Sequence, residues 1–585
     1  MRRDATRGWH PLFKGLAAGV SDLQKLSITE IPNELTMDID VASPVGIVRL
    51  LRSTDAQIYS GYRGYPALCD DEIVSKIVQA VQWTASVLGR EDSVVIISGA
   101  GTSGRLAMFA ARAFNRYLRS HQRTPNVRYL IAGGDLALIA AQEGAEDDPL
   151  TAISDVNALM EGKRHVLYIG VTCGLSAPYV ASQMFHVSRR RGANCILLGF
   201  NPADLARDVE IENWNMTFAG ALRAVSRRKN FLLLNPVVGP EPVTGSTRMK
   251  SGSATKLLLE VIFALAVEKA RPNALPERVA ACLRGYEQTR LAVYEQTAAI
   301  GRLVELGGRV LRANGHIYYV GAGTPGILGT VDASECPPTF GADFETVRGF
   351  IAGGWRTLLG PGHDLSHEAP WYRIALEEFN QVKLPTLTSK DLVVGLGLHL
   401  DPQVGKALQR SRKAGALTAV VQVGRPLTRR LAVDVAVCVP HLPRTIISGA
   451  PVFEEYGTKL ILNALTTGGH VLSGKVYQNR MVDLRISNNK LFYRTIGIIQ
   501  HITGLSADAA RRYMLRSIYN TDRITPSMLR AQPSQHVKAS TDVPKVVPKA
   551  LIMAIGRTTL AEAERVLKEE PVVREAIQRL KTARA

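Results

Sequence analysis

Three stretches of the chain carry the residue types that hold an anion. In Gly99-Ala100-Gly101-Thr102-Ser103-Gly104, two hydroxyls sit among backbone amides where a β-branched apolar run gives way to a helical pattern. Amides at a helix N-terminus point at an incoming anion and the helix dipole favours its charge, so Gly101, Thr102 and Ser103 are candidate ligands for a phosphate monoester. No Gly-Lys-Ser/Thr closes the loop, so it is not a Walker cradle, and Ser120–Ala132 contains no acid to hold a ribose hydroxyl as a dinucleotide site requires. Thr172-Cys173-Gly174-Leu175-Ser176 follows another apolar run and carries hydroxyls near both ends. Thr244–Ser253 is richer, with five hydroxyls, the cations Arg248 and Lys250, and two glycines ahead of a helical stretch. Ser246, Arg248 and Lys250 join the candidates.

Much of this is written twice. Gly99–Gly104 returns as Gly321-Ala322-Gly323-Thr324-Pro325-Gly326, Ile131-Ala132-Gly133-Gly134 as Ile351-Ala352-Gly353-Gly354, and Thr255–Leu259 as Thr458–Leu462. Landmarks that recur in order indicate two copies of one domain. The copies have complementary gaps. Pro325 lacks the hydroxyl and amide of Ser103, so the second loop is expected to have lost its phosphate-binding capacity. Glu143-Gly144-Ala145-Glu146-Asp147 occurs only in the first copy, and Asp332-Ala333-Ser334-Glu335-Cys336-Pro337-Pro338-Thr339 only in the second. Such a division predicts one composite site where the halves meet. Two glutamates in unequal surroundings can act as acid and base, or simply accept hydrogen bonds from sugar hydroxyls.

The elements that must position these loops follow from the pattern of apolar residues. Continuous apolar runs, as in strands buried on both faces, occur at Ser93–Ile97, Arg128–Ala132, Val166–Val171 and Cys195–Gly199, and again at His316–Val320, Leu392–Leu396, Ala419–Val423 and Val433–Val439. Helical spacing lies between them, as at Asp71–Leu88, Arg105–Leu118 and Ser253–Ala270. Alternation of this kind predicts an α/β protein: two doubly wound parallel sheets with helices on both faces. In such sheets the loops after the strands converge on one edge. After about Lys475 helical patterns dominate, and Arg557–Lys568 reads as a final amphipathic helix. The expected division is an arm at 1–45, α/β domains at 46–275 and 276–479, and a small all-helical lid at 480–585.

Composition bounds the function. A chain of 585 residues exceeds one hydrophobic core. No apolar run approaches the roughly 18 residues of a membrane span, and the N-terminal residues lead into no signal-peptide core. The six cysteines are scattered without Cys-x-x-Cys spacing, which speaks against a zinc site or disulfide framework and for a reducing compartment, cytoplasmic or nuclear. No metal or cofactor is expected. The net charge of +19 is spread along the chain with no nucleic-acid docking motif, so it reads as a solvated basic surface that favours encounter with anionic metabolites.

Gly-Ala-Gly-Thr-Ser-Gly-Arg, Glu-Gly-Ala-Glu-Asp, Asp-Ala-Ser-Glu-Cys-Pro-Pro-Thr and Gly-Pro-Glu-Pro-Val-Thr-Gly-Ser-Thr-Arg-Met-Lys resemble the sugar isomerase (SIS) domain proteins. The nearest groups are the N-acetylmuramic acid 6-phosphate etherases, with one SIS domain, and the glucokinase regulatory proteins, with two in tandem and a helical lid. Gly341–Phe350 and Leu484–Phe492 look like the latter. This resemblance implies a sugar-phosphate site drawing on Thr102, Ser103, Thr172–Gly174 and Ser246–Lys250, with Glu146 and Glu335 as its acids and Lys475 as the lysine after the last SIS helix. It implies a regulator that binds fructose 6-phosphate or fructose 1-phosphate and controls a glucokinase- or hexokinase-like partner, acting as a monomer that is an internal pseudo-dimer. The other readings are an etherase releasing lactate from N-acetylmuramic acid 6-phosphate, with Glu146 and Glu335 catalytic, and an aldose–ketose isomerase.

Overall fold

A computed structural model describes residues 27–582 except 143, 269–270, 400, 427–430 and 448. Most of the expected arm, and Glu143, lie outside the described residues.

Two five-stranded parallel sheets form the two halves. The first contains β1 (Ser93–Gly99), β2 (Val127–Ile131), β3 (His165–Val171), β4 (Ala193–Leu198) and β5 (Phe231–Leu234), in the order β2-β1-β3-β4-β5. The second contains β6 (Ile317–Gly321), β7 (Val347–Ile351), β8 (Leu392–Gly397), β9 (Leu417–Val423) and β10 (Val435–Val439), in the order β10-β9-β8-β6-β7. Counted within each half, both orders are 2-1-3-4-5, so the duplication in the sequence is a duplication of topology. Register is regular throughout: Ile97 faces Tyr129 on one side and Ile169 on the other, and Val394 faces Tyr319 and Ala419. The central strands β1 and β8 are buried along their whole length. The strand order reverses between the first and third strands of each half, and the crevice at that point is where ligands of open α/β sheets sit. In the first half it is flanked by the loops after Gly99 and Val171.

The helices that matter for the site are α1 (Pro44–Ser60), α2 (Asp71–Val87), α3 (Thr102–Ser120), α4 (Lys250–Glu268), α5 (Leu275–Glu295), α6 (Thr297–Arg312), α7 (Gly323–Ser334), α8 (Val452–Leu472) and α9 (Asn489–Thr503). Helix α1 precedes the first sheet in the chain yet packs on α6 and α8 of the second half, with Val45 against Gly301 and Ile47 against Gly468. Helices α4 and α8 lie at the centre of the molecule and are buried over almost their full length. Polar residues on these helices and on the loop before α4 pair across the junction. Arg248 Nη1 lies 2.8 Å from Asp332, and Lys256 bridges Glu260 on its own helix and Glu455 on α8, the latter at 3.0 Å. Tyr286 of α5 donates to Glu260 at 2.6 Å. Burial, opposed by Lys256, holds the Glu260 carboxyl at about 7. A buried pair left half-made costs about 3–5 kcal/mol, so these pairs fix how the halves meet.

One hydrophobic core runs through both sheets and into the C-terminal helices. A two-stranded hairpin, Val476–Tyr477 with Arg480–Met481, leads to α9, and the lid continues through Ala507–Ile518, Val546–Gly556, Leu560–Glu569 and Val573–Thr582. The last of these corrects the reading of Arg557–Lys568 as the final helix: Pro571 ends one helix and another follows. Strands β5 and β7, at edges of their sheets, also escape the sequence reading. None of the described helices is long and apolar enough to cross a membrane.

Candidate functional site

The candidate site is an open cleft above the β1–α3 loop. Gly101 has φ +51° and open space where a Cβ would be, which lets the backbone of this loop face the cleft unshielded. Thr102 begins α3 and lines the cleft beside it.

Four parts of the chain form the walls. The first half supplies Gly101, Thr102, Arg105, Gln142 and Glu146, and the loop before α4 supplies Gly245–Arg248. From the second half come Glu335, Pro338 and Thr339, and from the lid region Met481, Ser487, Asn488, Lys490, Leu491 and Arg494. Glu146 and Glu335, which lie in different copies, thus face the same cleft.

Each glutamate is held by a cation. Arg105 is 1 % exposed; its Nη1 donates to Glu335 Oε1 at 2.8 Å and its Nε to the Leu138 carbonyl at 3.0 Å. Its Nη2 is buried with no partner, as are the Ser246 hydroxyl and Arg248 Nε. Orphaned buried donors are uncommon in folded proteins, and three on residues lining one cleft point to a ligand with acceptor oxygens. Glu146 accepts from Lys490 Nζ at 2.9 Å and from Asn488 Nδ2 at 3.0 Å. Asn488 also caps α9, its side-chain oxygen accepting from the Leu491 amide at 2.9 Å. One side chain therefore starts the lid helix and ties it to the acid of the first domain.

Neighbouring contacts extend this join. The Gly144 amide donates to the Ser487 carbonyl at 3.1 Å, and Asp147 accepts from the Asn489 amide at 2.8 Å. Burial, and after it the charge of Glu146, raises the Asp147 carboxyl to about 6. Arg494 makes a bidentate pair with Glu30 at 2.6 and 2.7 Å while lying against Gly245, whose φ is +78° and whose Cβ would fall 2.5 Å from the guanidinium carbon.

Of the residues singled out in the sequence, Gly101, Thr102, Glu146, Ser246, Arg248 and Glu335 line the cleft. Arg248 does so with its Nη1 committed to Asp332 at 2.8 Å and its Nη2 to the hydroxyls of Thr466 and Thr467, at 3.0 and 2.7 Å. The others stand behind the wall. Ser103 turns its hydroxyl to the Cys173 thiol at 3.8 Å, and burial pushes that thiol up to about 11. Thr172 accepts from the amides of Ser176 and Ala177, both at 3.3 Å, which shapes the loop rather than exposing the hydroxyl. Gly174 is covered by the hydroxyls of Ser27 and Thr29, and Ser176 faces a smaller cavity with Asp147 and Arg207. Two lysines require correction. Lys250 is fully buried and donates to the Val238 carbonyl at 2.7 Å and to Gln57 at 2.5 Å, because its helix directs it inward. Lys475 pairs with Asp483 and does not line the cleft. The lysine that reaches it is Lys490.

Arg105, Asn488, Lys490 and Arg494 were not singled out in the sequence. Arg105 directly follows the glycine loop, one turn into α3, and its place in that motif was the available signal. The lid residues sit in Leu484–Phe492, which carried resemblance but no chemistry of its own.

Three family profiles match the chain: the glucokinase regulatory protein N-terminal SIS domain over residues 74–188, its second SIS domain over 294–473, and its C-terminal lid domain over 478–577. Across 95% of its length the chain is 33% identical to the glucokinase regulatory protein of Xenopus laevis, covering 93% of that protein. The chain belongs to the glucokinase regulatory protein family. The human glucokinase regulatory protein is 35% identical over 94% of this chain and 92% of its own length. The N-acetylmuramic acid 6-phosphate etherase of Clostridium acetobutylicum is 34% identical over 39% of this chain and 73% of the etherase. The family's tandem SIS architecture and helical lid are those described above, with the cleft at the meeting point of all three.

Proposed function

We propose that this chain is a sugar-phosphate-responsive regulator of a glucokinase- or hexokinase-like enzyme, with one ligand site per chain at the cleft. The observation that carries this reading is the pairing of Glu146 with Lys490 and Asn488. A ligand that uses Glu146 as a hydroxyl acceptor has to exchange with contacts that hold the lid. Occupancy and lid position are then coupled, and a ligand shifts a conformational equilibrium by the difference in its affinity for the two states. The β1–α3 loop amides and Thr102 receive the phosphate, while Arg105 Nη2 and the Ser246 hydroxyl supply unsatisfied donors for its oxygens or those of the sugar. Ser103 and Thr172 support this loop from behind, with rotation of Ser103 away from Cys173 needed before its hydroxyl can contribute.

A second reading keeps the same residues as an etherase, in which one glutamate removes the proton beside the sugar carbonyl and the other protonates the departing lactate oxygen. It is favoured by one observation: both acids border one cleft, one from each half. Thermal-shift and calorimetric titration with fructose 6-phosphate, fructose 1-phosphate and N-acetylmuramic acid 6-phosphate, followed by a lactate assay on the last, separates the two. The regulator reading predicts stabilisation by a fructose phosphate and no lactate. Catalytic lactate release that is lost in Glu335→Gln would establish the etherase instead.

A further inference from the structure

Two basic clusters that lie far apart in the sequence, Arg189-Arg190-Arg191 and Arg227-Arg228-Lys229, become neighbours in the fold. They immediately precede β4 and β5, which are adjacent in the sheet, and Lys163-Arg164 precedes β3 on the other side of β4. The backbone fixes this arrangement: Cys195 N–H donates to the Asn230 carbonyl at 2.8 Å, and Val166 N–H to the Gly192 carbonyl at 3.1 Å. Side chains brace it. Arg190 donates to the carbonyls of Met160 and Lys163 at 3.2 and 2.5 Å, and Asn230 to the Ser188 carbonyl at 3.0 Å.

Arg164, Arg189, Arg191, Arg227, Arg228 and Lys229 are all exposed on this rim, at the amino ends of the strands and thus at the opposite edge of the sheet from the cleft. Among the described residues none of the six has a carboxylate within ion-pair distance; Asp92, at this edge, pairs with Arg90 instead. Arg189 is held in place by stacking over the Phe185 ring, 3.7 Å from its centroid. So many unpaired like charges side by side repel one another, and the contacts they make within the fold are modest: the Arg189 stack and a long hydrogen bond from Arg228 Nη1 to the Ser188 carbonyl at 3.5 Å.

The geometry points to this rim as a docking surface for a short acidic segment of a partner protein, a run of aspartates and glutamates in extended conformation. Strands lie about 4.8 Å apart, so the three loop tips span about 10 Å, and an extended chain covers that with three or four residues at about 3.3 Å each. Five of the six cations are arginines, whose fork matches a carboxylate in bidentate fashion. The patch is bounded on one side. Glu91 and Glu161 are exposed on the β1–β3 flank, so a long polyanion such as nucleic acid, or a flat anionic bilayer, meets repulsion beyond the tips there where a short acidic run does not.

The test uses the full chain, with fluorescence anisotropy on a labelled peptide carrying a run of glutamates and on its glutamine counterpart. The triple variant Arg189→Glu/Arg191→Glu/Arg228→Glu is compared with the control pair Arg410→Glu/Lys413→Glu, on an exposed basic helix of the second half, with unchanged melting temperature required of both. The glutamate peptide is expected to bind saturably and the glutamine peptide not, with affinity falling at least about ten-fold in the triple variant, on the scale of three reversed surface charges, and little in the control. Absence of saturable binding, equal loss in the control pair, or tighter binding of single-stranded oligothymidylate or phosphatidylserine vesicles than of the peptide would overturn the proposal.

Discussion

Arg105 carries the heaviest electrostatic duty in the cleft. It is buried, bridges the halves by its contact with Glu335, and keeps one donor free. Arg105→Ala leaves Glu335 uncompensated at a buried position, so chemical denaturation should show a loss of about 3–5 kcal/mol, and adding Glu335→Ala should recover part of it. If the double variant is no more stable than the single, the pair is not coupled in this way. Ser246 behaves differently. Its hydroxyl has no partner in the protein, so Ser246→Ala should leave stability within about 0.5 kcal/mol of the parent while weakening sugar-phosphate binding by about 1–2 kcal/mol. Calorimetry showing unchanged affinity would remove Ser246 from the ligand's partners.

At the scale of elements, the lid helix α9 is the part that the proposed coupling would move. Its first turn is tied to Glu146 and Asp147, and its second to the loop before α4 through Arg494 and Gly245. Gly245→Ala forces a left-handed backbone and a Cβ into the Arg494 guanidinium, so proteolysis of the lid should accelerate while the sheets stay folded. Asp147 sets a pH dependence of folding. Burial and Glu146 raise its carboxyl from 3.8 to about 6 in the fold, against the Asn489 amide and Lys490 of the lid, which favour the charged form. The folded chain therefore binds this proton more tightly than the unfolded one, and the stability the group contributes falls as pH rises from about 4 through 6. Chemical denaturation should show that fall in the parent and a flatter profile in Asp147→Asn; an unchanged profile in the variant would assign it to another group. The sheets and their duplication were readable because buried parallel strands are unbroken apolar runs and the glycine loops repeat. The lid contacts were not, since polar residues such as Asn488 and Lys490 acquire meaning only when α9 folds over a loop 340 residues earlier in the chain.

For the whole molecule, the division of labour between copies was the most informative part of the sequence. The first copy keeps Glu146 and the loop with Thr102 and Ser103, the second keeps Glu335, and the fold brings both acids to one cleft with the lid across it. What residue types alone misjudged was direction: Lys250 and Lys475 have suitable chemistry, but a buried helix face and Asp483 respectively turn them away. The central claim is that this cleft is a single composite ligand site. Calorimetric titration of the intact chain with fructose 6-phosphate, alongside Glu146→Gln and Glu335→Gln, tests it directly. One ligand per 585-residue chain and weakened binding in both variants are expected, although they lie in different halves. Two equivalent sites per chain, or full affinity retained in either variant, would contradict it.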